Sequence, residues 1–192
     1  MGIFEHYQQR YESFKQEELT IQEYLELCKT DPTTYANSAE RLIQAIGEPE
    51  MVDTSQDPML SRIFSNRVIA RYPAFKEFYG MEEAIEQIVS YLRHASQGLE
   101  EKKQVLYLLG PVGGGKSSLA ERLKELMQKI PIYVIKDSPV NDHPFALFDA
   151  AEDGHLLESE YGIPQRYLKT IMSPWARKRL HEYNGDISQF KV

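Results

Sequence analysis

Apolar residues recur at helical spacing in the first part of the chain. An aromatic stripe follows alternating steps of three and four residues and predicts a first helix; it consists of Phe4, Tyr7, Tyr11 and Phe14. Thr20 with Glu23 forms a capping box at the start of a second helix. Asp31-Pro32 is typical of the start of a third helix, which we expect to end at Gly47. The pattern therefore predicts a small helical region at the N-terminal end.

The pattern changes in the second part of the chain. Residues 49–65 are rich in Pro, Asp and Ser without a clear period, which predicts a linker. Met81–Ala95 has helical spacing, and the continuous apolar run Val105–Leu109 that follows is typical of a strand buried on both faces. Ser117–Ile130 is helical again and leads into a second apolar run, Ile132–Ile135.

Strand, helix and strand in this order form the unit of a parallel sheet. We therefore expect an α/β fold in two regions. Residues 1–65 are the helical region and linker, and residues 66–192 form a second domain with a parallel sheet core. Few apolar runs follow Ile135, so the sheet is expected to be truncated.

Composition limits the class of protein. The chain has 192 residues, of which 42% are hydrophobic, and this is enough for a sizeable core. Its 22 Lys and Arg residues against 29 Asp and Glu residues leave a net charge of −7, which disfavours nucleic acid as a ligand. No apolar stretch approaches the roughly 18 residues of a membrane span. We expect a cytoplasmic protein that binds neither nucleic acid nor membranes, with its single cysteine, Cys28, buried and unreactive in the second helix.

A glycine-rich loop joins the run Val105–Leu109 to the helix Ser117–Ile130. It matches the Walker A pattern at every required position and reads Gly110-Pro111-Val112-Gly113-Gly114-Gly115-Lys116-Ser117, with Ser118 next. Glycines allow successive N–H groups to point inward, and the following helix directs the positive end of its dipole at the same point. The loop therefore predicts a phosphate-binding site and identifies residues 66–192 as a partial P-loop domain.

Lys116 and Ser117 carry the predicted chemistry of this loop. We expect Lys116 to reach the β- and γ-phosphates of a nucleotide and the Ser117 hydroxyl to hold Mg²⁺, so the predicted ligands are ATP and Mg²⁺. Phosphoryl transfer also needs a carboxylate for the metal and a group that positions the nucleophile. Asp149 follows an apolar run that is short for this purpose, and Asp137 follows the first strand after the loop with Lys136 in between. The catalytic residues therefore stay unassigned.

The segment before the loop resembles the adenine-flanking box of AAA+ ATPases. An aromatic residue and a glycine precede a helix with Glu and Ala in the stretch Tyr79-Gly80-Met81-Glu82-Glu83-Ala84-Ile85. By this resemblance Tyr79, Gly80 and Ile85 flank an adenine base. The alternative is a glycine at a helix boundary beside ordinary core residues.

Longer runs resemble the bacterial PrkA serine protein kinase family. They are Phe64–Pro73, Phe78–Glu82, Leu108–Leu119, Ser138–Pro144 and Ile171–Trp175. The similarity spans the whole chain and implies an AAA-type ATP-binding domain in a family described as phosphorylating proteins on serine. Members of that family are much longer, and they have a longer loop where this chain has only Lys136-Asp137. We therefore expect this sequence to be an N-terminal portion.

The resemblance implies a serine/threonine protein kinase, a transferase, as the full-length protein, and this portion alone is expected only to bind nucleotide. One alternative is an AAA-type ATPase that remodels or docks protein partners without kinase activity. Another is a binding module that docks partners through its helical N-terminus. Because AAA-type modules often assemble, a homo-oligomer stays open. The aromatic stripe of the first helix then either packs against the second and third helices, which we favour, or docks on another subunit.

Overall fold

A computed structural model of the chain describes residues 2–14, 18–98 and 103–192. These residues form α-helices and one two-stranded sheet, together with short 3-10 turns. The helices are α1 (Ile3–Phe14), α2 (Ile21–Thr30), α3 (Ser38–Ile46), α4 (Pro58–Phe64), α5 (Glu82–Ser96), α6 (Lys116–Gln128), α7 (Gly154–Tyr161) and α8 (Pro174–Glu182). The strands are β1 (Glu50–Asp53) and β2 (Val68–Arg71). Within the described ranges no helix combines the length and apolarity needed to cross a bilayer.

The chain divides into two compact units. The first consists of Met1–Tyr35 and Tyr133–Val192, and the second of Ala36–Ile132. The boundary predicted after residue 65 falls within the second unit. The fold is therefore mixed α/β, and each unit has a hydrophobic core of its own.

The second unit is built on α3, α5 and α6. Helix α5 confirms the helix predicted from the spacing of Met81–Ala95, and it buries Ile85, Ile88 and Val89 on one face. These side chains pack in one cluster with Leu119 and Leu126 of α6. The core of this unit thus holds the N-terminal parts of both helices in place.

The only strand ladder among the described residues is antiparallel: β1 lies within the predicted linker 49–65, and β2 follows that linker. Met51 pairs with Ala70 and Val52 with Ile69 across β1 and β2. Next to the ladder, the Thr54 hydroxyl donates to the carbonyl oxygen of Arg67 at 2.7 Å, and Thr54 is completely buried. The sheet was missed because a four-residue strand with polar ends is too short to show a period.

The predicted parallel sheet core is not found. Neither Val105–Leu109 nor Ile132–Ile135 forms a strand, although both belong to the described residues. Val105 is 89% exposed and Leu109 is 81% exposed, so no described segment covers these two side chains. The second run lies at the boundary between the two units. A strand of this type is stable only when ladder partners and covering helices bury it, and the described residues do not supply them.

Helix caps confirm part of the N-terminal prediction and correct the rest. At α2, the Glu23 amide donates to Thr20 Oγ1 at 3.2 Å and the Thr20 amide donates to Glu23 Oε2 at 2.8 Å, which is the predicted capping box. The third helix begins later than predicted: residues 32–35 form a 3-10 turn, and α3 follows Asn37. The Asn37 side chain accepts from two backbone amides there, so it provides the stronger N-terminal cap.

The first helix, α1, forms over the predicted residues, but the described part of its aromatic stripe is not buried. Phe4 is 86% exposed and Tyr7 is 60% exposed. The predicted packing of the stripe is therefore wrong for these two residues. The side chains of Tyr11 and Phe14 lie outside the described part of the structure.

The core of the first unit is rich in aromatic rings. Tyr24 and Tyr35 each pack against Phe145, with ring centroids 5.8 and 5.7 Å apart. Cys28 is only 2% exposed, which confirms its predicted burial, and this burial raises the pKa of its thiol.

A buried carboxylate joins two segments of this unit. Asp142 accepts hydrogen bonds from the hydroxyl groups of Ser138 and Ser173, at 2.7 and 2.6 Å. Ser173 is also the N-cap of α8, where it accepts from the Ala176 amide. The network therefore fixes the loop before Asp142 to the start of α8.

Candidate functional site

The glycine-rich loop leads directly into α6 with backbone angles that favour glycine. Gly113 and Gly115 have φ angles of 81° and 75°, in the left-handed region. Gly115 is the N-cap of α6, and its carbonyl oxygen accepts from the Leu119 amide at 2.9 Å. The Gly114 amide donates to the Pro111 carbonyl oxygen at 3.2 Å and closes a turn. The loop thus presents exposed backbone amides at the positive end of a helix dipole.

At two of the loop glycines, a side chain would come close to a neighbouring group. A Cβ atom at Gly114 would lie 3.1 Å from the carbonyl oxygen of Pro111. A Cβ atom at Gly115 would lie 2.9 Å from Sδ of Met81. The backbone of the loop therefore lies close to its neighbours at these two positions, which leaves little room for a side chain.

Lys116 extends back over the loop that precedes it. Its ammonium group donates to the carbonyl oxygens of Gly110 and Pro111, at 2.7 and 2.6 Å. In the described part of the chain it has no carboxylate partner. A full positive charge is therefore held at the loop by neutral acceptors, which an anion can replace without breaking an ion pair.

An open cavity of about 450 Å³ adjoins the loop, and its size is within the usual range for ligand pockets. Its lining is mainly apolar and includes Met81, Ala84, Ile88, Leu106 and Leu119, with Lys116 as the charged member. The cavity could therefore accept an apolar or aromatic group joined to an anionic one.

The structure brings some of the predicted site residues together and leaves others apart. Gly110, Pro111, Gly114 and Lys116 line the cavity. Ser117 and Ser118 lie in the exposed first turn of α6, and Val112 and Gly113 are exposed at the tip of the loop.

The three predicted adenine-flanking residues do not line this cavity. Tyr79 is 80% exposed, Gly80 forms a turn with a φ angle of 75°, and Ile85 is 3% exposed in the core. Their contact with a base stays a prediction. Met81, in the same segment, does reach the loop; no sequence pattern indicated this, because spacing alone does not show where the side chain of a helix N-cap points.

Metal ligands are sparse around the loop. Ser117 supplies a hydroxyl group in the first turn of α6, and this hard oxygen donor suits Mg²⁺. In the described ranges no group of three or more His, Cys, Asp or Glu side chains is placed to hold a metal ion. Asp137 and Asp149, considered above as metal carboxylates, both belong to the first unit, whereas the loop belongs to the second.

The glycine-rich loop, Lys116 and the N-terminus of α6 lie together and form a candidate phosphate-binding site of the P-loop class. The model of the family described as the PrkA AAA domain matches residues 19–192. The chain belongs to this family.

The curated relatives extend this result over the whole chain. Serine/threonine kinase YeaG of Escherichia coli strain K12 is 72% identical over 196 aligned residues, covering 100% of this chain and 30% of the relative. ATP-dependent protease PrkA of Bacillus subtilis strain 168 is 31% identical over 185 residues, covering 90% of this chain and 26% of the relative. This chain thus spans less than a third of the length of these relatives. No solved structure matches it.

Proposed function

We propose that this chain binds ATP with Mg²⁺ through the loop Gly110–Ser118, and that the full-length protein transfers the γ-phosphoryl group of ATP to serine residues of proteins. The observation that carries the binding proposal is the position of Lys116, whose ammonium group is held against the loop carbonyls of Gly110 and Pro111. The family supports it, because an AAA domain is a nucleotide-binding domain. The kinase step rests on the name of the Escherichia coli relative.

Binding would use groups that the loop already presents. The backbone amides of the exposed residues Val112, Gly113 and Ser117 would donate to phosphate oxygens at the N-terminus of α6. Lys116 would exchange its two carbonyl acceptors for phosphate oxygens. The Ser117 hydroxyl would contact Mg²⁺, which when bound neutralises charge on the phosphates. Tyr79, Gly80 and Ile85 stay the proposed neighbours of the adenine base.

Calorimetric titration with Mg-ATP tests the binding proposal. Lys116→Ala should weaken ATP binding by about 10- to 150-fold, the equivalent of about 1.5–3 kcal/mol for charged hydrogen bonds. Lys124→Ala is the matched control, because Lys124 is an exposed lysine on the same helix that pairs with Glu121 at 2.9 Å. It should bind ATP like the unmodified protein. Absence of binding by the unmodified protein at millimolar ATP would refute the proposal.

A second function deserves a test because the Bacillus subtilis relative is named an ATP-dependent protease. In this alternative, ATP turnover drives conformational work on partner proteins and no phosphoryl group reaches them. The full-length protein with γ-labelled ATP separates the two functions. Label on protein serine that disappears in Lys116→Ala supports the kinase. Release of free phosphate without labelled protein, together with cleavage or unfolding of an added protein, supports the alternative.

A further inference from the structure

Met81 is the side chain from outside the loop that approaches the loop glycines most closely among the described residues. Its Sδ atom lies 2.9 Å, and its Cε atom 3.6 Å, from the position that a Cβ atom would take at Gly115. The other side chains near these glycines belong to Pro111 and Lys116, within the loop motif itself. Met81 therefore links the loop to a different part of the second unit.

That part of the unit packs on its hydrophobic core. Met81 is the N-cap of α5, and its carbonyl oxygen accepts from the Ile85 amide at 2.9 Å. Ile85 is buried in the core of the unit, and Met81 itself is half-buried against that core. A shift of Met81 would therefore disturb packed core residues.

A second contact ties the same segment to α6. The Arg122 side chain donates through Nε to the carbonyl oxygen of Ala74 at 2.8 Å. Arg122 follows Gly115 by seven residues, or about 10 Å along the helix. The segment from Ala74 to Met81 therefore holds α6 at two points, and the Met81 contact is the one at the helix end that forms the loop.

We propose that Met81 is a positioning residue that holds Gly115, and with it the phosphate-binding conformation of the loop. This inference rests on the proposed function and adds a residue that stabilises the phosphate-binding conformation of the loop. Gly115 has a left-handed φ angle of 75°. The Met81 thioether packs close to the position that a Cβ atom would take at this glycine. This contact limits the other backbone conformations that Gly115 can adopt. The proposal concerns the phosphates, so Met81 acts whether or not a base is present.

The test compares ATP with inorganic tripolyphosphate, which has no base. In Met81→Ala, both ligands should bind more weakly by the same factor, about tenfold if the loop adopts the binding conformation only a tenth of the time. Met81→Leu should restore binding of both, because leucine preserves most of the apolar volume. Met59→Ala is the control, since Met59 is 76% exposed on α4.

Hydrogen exchange of the amides in residues 110–118 provides a readout that needs no nucleotide. Exchange should be faster in Met81→Ala than in the unmodified protein and should return to its original rate in Met81→Leu. Weaker ATP binding with unchanged tripolyphosphate binding would overturn the proposal and assign Met81 to the base. Unchanged binding and exchange in Met81→Ala would also overturn it. If the unmodified protein binds neither ligand, the proposed function fails, and the exchange rates alone then support or refute the role of Met81.

Discussion

Gly115→Ala is the substitution whose effect on stability follows most directly from the geometry of the loop. Gly115 has a left-handed φ angle of 75°, and its missing Cβ atom leaves room for Sδ of Met81. Gly113 offers a matched control. Its φ angle is similar, at 81°, but a Cβ atom there would meet nothing within 4 Å.

The two substitutions separate backbone strain from steric contact. An alanine in the left-handed region costs about 1–2 kcal/mol of folding free energy, and both variants carry this cost. At Gly115 the new methyl group also overlaps the Met81 thioether at 2.9 Å, and forced repacking of this kind costs about 1–3 kcal/mol. Because a methionine side chain is flexible, we expect the lower end of that range. Gly115→Ala should therefore lower the free energy of unfolding by about 2–4 kcal/mol, and Gly113→Ala by about 1–2 kcal/mol.

Urea unfolding of the single variants and of Gly115→Ala combined with Met81→Ala measures these terms. Truncation of Met81 removes the overlap, so the second substitution should then cost only as much as Gly113→Ala does. The coupling between the two positions should be about 1 kcal/mol or more in a double-mutant cycle. Equal losses for the two glycine variants, or a coupling near zero, would show that Met81 does not pack on Gly115 in solution.

Three further expectations follow from burial and exposure. Burial lowers the pKa of His143 to about 4 from 6.5, so stability should be lost as pH falls from 6.5 towards 4, by up to about 1.4 kcal/mol per pH unit. The part of the loss due to His143 should be missing in His143→Asn, as urea unfolding of both proteins at several pH values will show. Cys28 should react with a thiol reagent only on unfolding, and rapid reaction of the native protein would contradict its burial. Leu109→Lys should reduce self-association of this chain in light scattering, because Leu109 is 81% exposed; a fully monomeric unmodified chain would contradict this expectation.

The helices could be predicted because their signals are local. The Thr20 and Glu23 capping box lies within four residues and forms as expected. Where two local signals competed, the prediction was wrong by a few residues. Asp31-Pro32 does begin a helical turn, but Asn37 makes the stronger cap and starts α3. Burial of the α1 stripe could not be read from its period, because a stripe shows which side chains share a face and not whether anything covers them.

The sheet could not be predicted from single segments. An apolar run indicates a buried strand only if other segments of the chain cover it. The run Val105–Leu109 has the composition of a strand covered on both faces, but its side chains are largely exposed among the described residues. The strands that do form, β1 and β2, are held by a ladder between segments 15 or more residues apart. Ladder pairing depends on such distant partners, and a single sequence does not display them.

In the candidate site too, the loop formed by residues close in sequence could be predicted and contacts between distant residues could not. The glycines and Lys116 are adjacent in sequence, so the motif alone identifies the loop and its lysine, and the structure adds the contact of the ammonium group with the carbonyl oxygens of Gly110 and Pro111. Met81 precedes Gly115 by 34 residues, and the contact between them exists only because α5 and α6 share one core. The motif therefore defines which groups can meet a phosphate, and the core determines how firmly they are held. This is why substitution of Met81 should change the affinity for phosphate without altering any residue of the motif itself.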